Sequence, residues 1–348
     1  MPHRRLSTPH PASTPRRWNA RLPRAAAGLL ACLAALPACA TRHAADEPSS
    51  APATVEAAEQ LRPRAVAVLR GSDGSAASWR AMLDACADAD IVIIGEMHGH
   101  DLGLAVASAI WEDLLARAES DPARPRPVLS MEFFERDTQS VLDDYLTGVI
   151  DEETFRDLSR RSPGNYPPGH RAMVEAAKSA GVPVVAANAP RRYSPLARRR
   201  GFDALSELRP SQQALFALPG IPAEGPYRDR FFAVMAEMMT SHGDSSQGDG
   251  PDPAAVNAMV ESFFRAQTVW DATMAESIAL ARRPGHAPIV HVVGQFHADF
   301  EGGTVLELRR HLPDARIVVV SMSRETAAQL PASDLGRADF IIPVGPAE

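Results

Sequence analysis

Short apolar runs rich in β-branched residues alternate with helix-like segments along most of the chain. The clearest runs cover residues 91–94, 128–131, 182–186, 289–293 and 317–320. Strands of a parallel sheet are buried on both faces, so they read as continuous apolar runs rather than alternating ones. The pattern therefore predicts an α/β fold with a mostly parallel central sheet flanked by helices.

Helical periodicity fills the segments between these runs. Residues 102–118 and 137–146 follow the first two runs with apolar positions at helical spacing. The stretch from about 203 to 282 shows no strand pattern, and we predict a helical insertion there. A segment rich in Gly, Ser and Asp interrupts it at 241–251, a composition typical of a mobile loop.

The first 38 residues carry six arginines and no acidic residue, and they include an apolar run at about 25–35. Such a segment is typical of a secretory signal, and its ending, Leu36-Pro37-Ala38-Cys39, resembles a lipobox. We predict a lipoprotein signal peptide at 1–38, lipidation of Cys39, a flexible tether at 39–60 and one folded domain at 61–348. An ordinary signal peptide, cut by the general peptidase, is the alternative.

Charge and cysteine content narrow the classes of function. Loss of residues 1–38 would change the formal net charge from −7 to −13. Nucleic-acid binding needs a basic surface, so this class of function is excluded. Cys86 is then the one cysteine outside the predicted signal and lipobox, which excludes an intramolecular disulfide and a Cys-x-x-Cys metal site. Because it falls within a helical pattern, we interpret Cys86 as a buried thiol rather than a nucleophile.

Two of the predicted strands end in the same motif. The first is followed by Gly95-Glu96-Met97-His98 and the fourth by Gly294-Gln295-Phe296-His297. Glycine lets the chain turn sharply away from the sheet, which leaves each histidine just beyond the carboxyl end of its strand. Ligands of open α/β sheets bind at that edge. The repetition favours a functional role over two unrelated structural histidines.

Further polar residues are predicted at the same edge. Glu132 ends the second strand and Asn188 ends the third. A buried carboxylate needs a partner, which for Glu132 is a histidine, an arginine or a metal, or else a helix N-cap or an ion pair with Arg136. Gln267 and Asp271 interrupt the apolar stripe of a helix predicted at 256–282. They either face the strand-end site or form buried structural hydrogen bonds.

Six motifs in a fixed order over about residues 85–325 carry a resemblance to a known family. They are Gly95-Glu96-x-His98, Met131-Glu132-Phe133-Phe134-Glu135-Arg136, Tyr166-Pro167, Ala187-Asn188-Ala189-Pro190-Arg191, Ala266-Gln267-x-x-Trp270-Asp271-x-x-Met274-Ala275 and Gly294-x-x-His297. The chain resembles the ChaN-type haem-binding lipoproteins, whose wider group also holds the TIKI-type metal-dependent proteases and the erythromycin esterases. The resemblance implies non-covalent haem binding at the cell envelope, linked to iron supply.

The residues alone leave two functions open. Haem iron needs a His, Tyr, Met or thiolate ligand, and with cysteine excluded the iron candidates are Tyr166, His98 and His297. The full set of candidate cofactor-binding residues is Glu96, His98, Glu132, Tyr166, Asn188, Arg191, His242, Gln267, Asp271 and His297. The alternative is a metal-dependent hydrolase, in which Glu96, His98, Glu132 and His297 would bind a divalent metal and activate water.

The expected partners follow from these interpretations. We expect haem, the membrane through the lipid anchor and a second copy of the chain as partners, and no nucleic acid. No signal for retention in the inner membrane is evident after Cys39. The expected location is therefore the cell envelope, with the lipid in the outer membrane and the domain facing the periplasm.

Overall fold

The computed structural model describes residues 61–221, 224–241, 252–326 and 329–346. The predicted signal peptide, Cys39, the tether and the loop that contains His242 lie outside the described residues. Within them, eight strands form one sheet in the order β2-β1-β8-β7-β3-β6-β4-β5. The strands are β1 (Val68–Arg70), β2 (Ala76–Ala77), β3 (Ile91–Glu96), β4 (Arg126–Glu135), β5 (Val184–Asn188), β6 (His286–Gly294), β7 (Ile317–Ser323) and β8 (Phe340–Pro343).

The strands from β8 to β5 run parallel to one another, whereas β1 and β2 are antiparallel at one edge. The five predicted strands correspond to β3 through β7, so the predicted α/β fold with a mostly parallel sheet is confirmed. Parallel pairing brings the carboxyl ends of β3, β6 and β4 side by side. Adjacent strands lie about 4.8 Å apart, so residues that follow these three strands are neighbours.

Helices in the described ranges cover both faces of the sheet. They are α1 (Trp79–Ala87), α2 (Asp101–Ser120), α3 (Gln139–Leu146), α4 (Glu152–Leu158), α5 (Pro168–Ala180), α6 (Ser194–Ser206), α7 (Pro210–Gln213), α8 (Pro226–Ser241), α9 (Pro253–Ala281) and α10 (Gly303–His311). Local sequence sets several ends, because Ser78 and Asp151 accept backbone N–H groups at the starts of α1 and α4. Gly181, with φ of 62°, ends α5. None of the helices in the described ranges is both long and apolar enough to cross a membrane.

Successive residues of each strand point to opposite faces, and each face has its own core. Ile94, Met131 and Val292 pack with α1, α2 and α5 on one face, whereas Ile93 and Val293 pack with α9 and α10 on the other. Where it is described, the predicted insertion consists of the end of α6 and of α7, α8 and α9, joined by irregular segments. It does not stand apart from the domain, however, because α9 forms part of the layer that covers the sheet.

Candidate functional site

The two Gly-x-x-His motifs follow neighbouring strands. β3 and β6 pair in register from Ile91 opposite Ile289 to Glu96 opposite Gly294. β4 pairs with the other edge of β6, which places Glu132 beside the end of β6. Two groups of side chains occupy this edge of the sheet, and they differ in exposure.

The first group, here called the open cluster, consists of Glu96, His98 and His170. The Glu96 carboxylate is buried and bridges the two imidazoles: Oε1 lies 3.1 Å from His98 Nδ1, and Oε2 lies 2.7 Å from His170 Nε2. His170, on α5, is buried as well, and its ring lies 3.8 Å from the Phe133 ring, centroid to centroid. The His98 side chain is 57% exposed. The open cluster therefore presents one accessible imidazole held by a buried carboxylate.

In the open cluster, the carboxylate and the imidazoles stabilise one another's charged forms. Burial would raise the pKa of Glu96, but the adjacent His170 and His98 lower it to about 2. Desolvation would lower the pKa of His98, but the hydrogen bond to Glu96 and the charges of Glu132 and Glu96 raise it to about 9. Glu96 is thus a permanent anion whose partner on the exposed side is His98.

The second group, here called the buried cluster, is centred on His297 and Asp271. His297 Nδ1 lies 2.7 Å from Asp271 Oδ1, and both residues are buried. Two hydroxyl groups also donate to the Asp271 carboxylate: Thr304 to Oδ1 at 2.8 Å and Tyr227 to Oδ2 at 2.7 Å. The Gln267 amide nitrogen lies 3.2 Å from both ring nitrogens of His297. Gln267 and Asp271 therefore both contact the strand-end histidine.

Glu132 completes the buried cluster and connects it to the open one. Its Oε2 accepts the backbone N–H of Gly294 at 2.7 Å, and its Oε1 lies 3.7 Å from His297 Nε2. Burial would raise the pKa of Glu132, but the charges of His297 and His98 lower it. Desolvation would lower the pKa of His297, but Asp271 and Glu132 raise it.

Gly294 is the point at which the two clusters touch. A Cβ atom at this position would lie 2.8 Å from His98 Nε2 and 3.5 Å from Glu132 Oε2. The absence of a side chain therefore lets the His98 ring lie close against the backbone at Gly294.

Three other predicted site residues lie apart from the histidines. The Tyr166 ring is buried and packs edge-on against Phe134 and Phe155. Its hydroxyl has no hydrogen-bond partner in the described structure, and burial raises its pKa far above the usual value. Asn188 Oδ1 accepts the N–H of Ala189. Arg191 is 61% exposed, and its Nε lies 3.7 Å from Glu135 Oε1.

The contacts also test the predictions for Arg136, for Cys86 and for a divalent-metal site. Arg136 does not pair with Glu132, because its Nη1 binds Glu276 at 2.7 Å. Cys86 is free and buried, and burial raises its pKa to about 12, as expected of an inert thiol. No group of three or more His, Cys, Asp or Glu side chains in the described ranges is arranged to hold a metal ion. The divalent-metal alternative therefore has no support there, since the carboxylates already bind imidazoles.

Three residues of the site were not among the predicted ones. His170 lies on α5, 74 residues after Glu96, and a single histidine after Pro168-Gly169 forms no recognisable motif. Tyr227 and Thr304 are polar positions at the starts of α8 and α10. Their role becomes visible only once Asp271 is known to be buried.

Comparisons with known proteins agree with this architecture. A family model described as "Haem-binding uptake, Tiki superfamily, ChaN" matches residues 82–308. Among solved structures, the chain is similar to one described as "Cofacial heme binding to ChaN of Campylobacter jejuni". That match has a TM-score of 0.60 and 15% identity, over 80% of this chain and 96% of that one, which supports the fold.

Two further structures are more distant. The type III effector HopBA1 matches with a TM-score of 0.40 and 13% identity, over 82% of this chain and 99% of that one. An erythromycin esterase mutant in its open conformation matches with a TM-score of 0.38 and 12% identity, over 76% and 77%. Neither likeness is close enough to support an argument, and a search of curated protein sequences gave no significant match. With the family model covering most of the chain, this protein belongs to the haem-binding uptake family of ChaN, in the Tiki superfamily.

Proposed function

We propose that this protein binds haem non-covalently at the carboxyl edge of its sheet, with His98 as the axial ligand of the iron. The observation that carries the proposal is the geometry of His98 in a chain of the haem-binding uptake family. Its ring is accessible, and its Nδ1 is held by a buried carboxylate. Histidines that bind metals typically donate their second ring N–H to a carboxylate, which fixes the ring and raises its basicity.

Exposure distinguishes His98 from the other two iron candidates. The His297 ring is buried, with Nδ1 bound to Asp271 and Nε2 turned towards Glu132. Tyr166 lies in the aromatic core, and its raised pKa opposes the tyrosinate that would bind ferric iron. Haem binding through either residue would require the core to open, whereas His98 need only release the proton that its raised pKa keeps on the ring at neutral pH.

The surroundings of His98 suit a large planar ligand. The Phe133 ring lies 5.7 Å from the His98 ring, centroid to centroid, and is only partly buried. Gly294, which has no side chain, leaves room for the His98 ring in this position. An apolar aromatic wall next to an accessible imidazole is the environment that a haem site needs. Haem would be cargo here, in keeping with uptake, and these residues would hold it.

Titration of the purified protein with haemin tests the proposal. We expect a shifted, sharpened Soret band that saturates at a fixed stoichiometry, and we expect His98→Ala to abolish the shift. His311→Ala is the matched control, because His311 is an exposed histidine on α10, away from the site. A Soret shift that survives in His98→Ala and disappears in Tyr166→Phe would contradict the ligand assignment. The absence of any shift in the wild-type protein would contradict haem binding itself.

We also propose that the protein is a lipoprotein tethered through Cys39. Support comes from the arginine-rich segment, the short apolar run and the Leu36-Pro37-Ala38-Cys39 ending. The lipid would lie in the outer membrane, with the domain in the periplasm and a homodimer as its assembled form. Cys39→Ser should release the protein from the membrane fraction and remove the mobility shift caused by acylation. Unchanged fractionation of this variant would contradict the anchor, and cross-linking of the released domain would test the dimer.

A further inference from the structure

Four arginines lie together beyond the carboxyl ends of β4 and β5, and we call them the arginine patch: Arg160, Arg161, Arg191 and Arg192. They surround two carboxylates, Glu135 and Asp137. The patch therefore has two positive charges more than it has carboxylates to balance them. The whole chain has a formal net charge of −7. The excess of positive charge is therefore confined to the patch and is opposite in sign to the charge of the whole chain.

Three members of the arginine patch keep much of their surface in solvent. The side chains of Arg160 and Arg192 are 50% exposed, and that of Arg191 is 61% exposed. Arg160 uses a single nitrogen, Nη2, to reach Glu135 at 2.9 Å and Asp137 at 2.8 Å. A guanidinium has five N–H donors, so further donors remain for an anionic ligand.

The fourth member is buried and anchors the patch to the strand. Arg161 Nη1 donates to the carbonyl oxygen of Phe133 at 2.5 Å, and its Nε donates to Ser159 O at 3.1 Å. Burial and the charges of Arg191 and Arg160 lower its pKa to about 10, which leaves it positively charged at neutral pH. The like charges repel one another, and a bound anion would relieve that repulsion.

The backbone at Arg160 is an independent sign that its side chain matters. Arg160 has φ of 62° and follows the end of α4, where its N–H bonds to Asp157 O at 3.1 Å. This left-handed position at a helix end is normally occupied by glycine, and another residue there costs about 1 kcal/mol. The two carboxylates that Arg160 contacts are largely buried, 11% exposed for Glu135 and 18% for Asp137, and buried carboxylates need a partner of opposite charge. Strain of this kind is often associated with function.

The arginine patch borders the haem site proposed above. The Phe133 carbonyl binds Arg161, and the Phe133 ring packs against the His98 ring. Glu135 lies two residues further along β4, which is about 6.6 Å of strand. A porphyrin lying over Phe133 with its iron at His98 would extend towards the patch.

We propose that the arginine patch binds the two propionate groups of haem and so sets the orientation of the porphyrin. The inference rests on the proposed function. The excess of two positive charges matches the two carboxylates carried by one edge of haem. Arginine suits this role because its planar fork of donors binds carboxylates through paired hydrogen bonds.

Haemin and its dimethyl ester, in which both propionates are uncharged, separate this inference from haem binding in general. The full chain is titrated with each compound and followed by the Soret band. We expect the wild-type protein to bind haemin about tenfold to a hundredfold more tightly than the ester, since charge-assisted hydrogen bonds contribute about 1.5–3 kcal/mol. The ratio should fall as ionic strength rises.

Arg160→Gly and Arg192→Ala should weaken binding of haemin and leave binding of the ester unchanged. Glycine at position 160 is compatible with the backbone, so this variant is expected to fold. Arg309→Ala is the control, because Arg309 is an exposed arginine on α10 that pairs with Glu301, and it should keep the wild-type ratio. Equal affinity of the wild-type protein for the two compounds would overturn the inference, as would equal weakening of both in the arginine variants. A wild-type protein that binds neither compound would overturn the proposed function as well.

Discussion

The open cluster and the buried cluster begin from the same motif, yet they hold their histidines differently. Glu96 fixes one nitrogen of His98 and leaves the ring half in solvent. Asp271 fixes one nitrogen of His297, while Glu132 and α9 enclose the rest. The comparison teaches that exposure, and not the presence of a histidine at a strand end, decides which of the two can accept a ligand. On this view the buried cluster stabilises the fold, and the open cluster binds.

The largest effect should follow from Asp271→Asn. The change leaves His297 without its carboxylate and disturbs the hydroxyl donors Tyr227 and Thr304, all in the interior. Breaking a buried pair costs about 3–5 kcal/mol, so urea unfolding should show a loss of that size. Glu301→Gln, which removes an exposed pair with Arg309, should cost less than about 1 kcal/mol. A loss equally small in Asp271→Asn would mean that the buried cluster is not a stabilising element.

Asp299 is a buried carboxylate whose contacts include no imidazole. Its pKa should be raised, whereas the pKa values of Glu96 and Glu132 are lowered. Asp299 receives a hydrogen bond from Ser321 at 2.6 Å, Arg337 lies 3.5 Å away, and Asp334 and Arg230 also face it. Burial raises its pKa from 3.8 to about 7. The folded state therefore keeps a proton that the unfolded state loses near pH 4, so this group makes stability fall as the pH rises from about 4 to 7.

Asp299→Asn should remove that fall, which has a limiting slope of about 1.4 kcal/mol per pH unit. The free energy of unfolding, measured from pH 4 to 8, would then differ from that of the wild type mainly near neutral pH, where the variant is more stable. Parallel pH profiles for the two proteins would contradict the raised pKa of Asp299. They would also weaken the view that imidazole partners keep Glu96 and Glu132 ionised.

Each cluster borders a glycine, and the two glycines provide a matched pair of tests. A Cβ at Gly303 would lie 2.2 Å from Asp271 Oδ2 and 2.6 Å from Tyr227 Cε1. Both residues are buried, and the Tyr227 hydroxyl donates a hydrogen bond to Asp271 Oδ2, so Gly303→Ala should cost about 1–3 kcal/mol. A Cβ at Gly294 would lie 2.8 Å from His98 Nε2, but the exposed ring can move. Gly294→Ala should therefore cost less stability and should instead weaken haem binding. Equal losses of stability would contradict the contrast between the clusters.

The last prediction concerns affinity. Glu96→Gln keeps the shape of the side chain and removes the charge that orients His98. Loss of a partner behind a metal ligand typically reduces affinity about tenfold to a hundredfold, so the haemin titration should shift by that amount. Because Glu96 also pairs with the buried His170, the variant should lose stability as well, and the titration is made where urea unfolding shows it to be folded. Glu112→Gln is the control. Glu112 lies on α2 and forms an exposed ion pair with Arg64, so this variant should bind haemin like the wild type. Unchanged affinity in Glu96→Gln would argue against His98 as the ligand.

Local sequence patterns predicted much of the fold but not all of it. The five predicted strands are those buried on both faces, where apolar runs are longest. The strands that were missed, β1, β2 and β8, have only three, two and four residues. Segments that short carry little pattern, and they are strands because neighbouring edges offer them backbone hydrogen bonds. The Glu132–Arg136 alternative failed for a related reason, since Arg136 finds its acid, Glu276, on α9.

By itself the sequence determined that two Gly-x-x-His motifs follow buried parallel strands and therefore meet at one edge of the sheet. It also placed Glu132 at that edge, although β4 continues past it to Glu135, and it indicated that Cys86 is a buried thiol. Only the tertiary structure decided that α5 delivers His170 to Glu96, that α9 and α10 enclose His297, and that His98 stays open. The physical reason is that exposure and ion pairing depend on neighbours that lie far away along the chain. Local periodicity records which residues are apolar, but it does not record which helix will cover them.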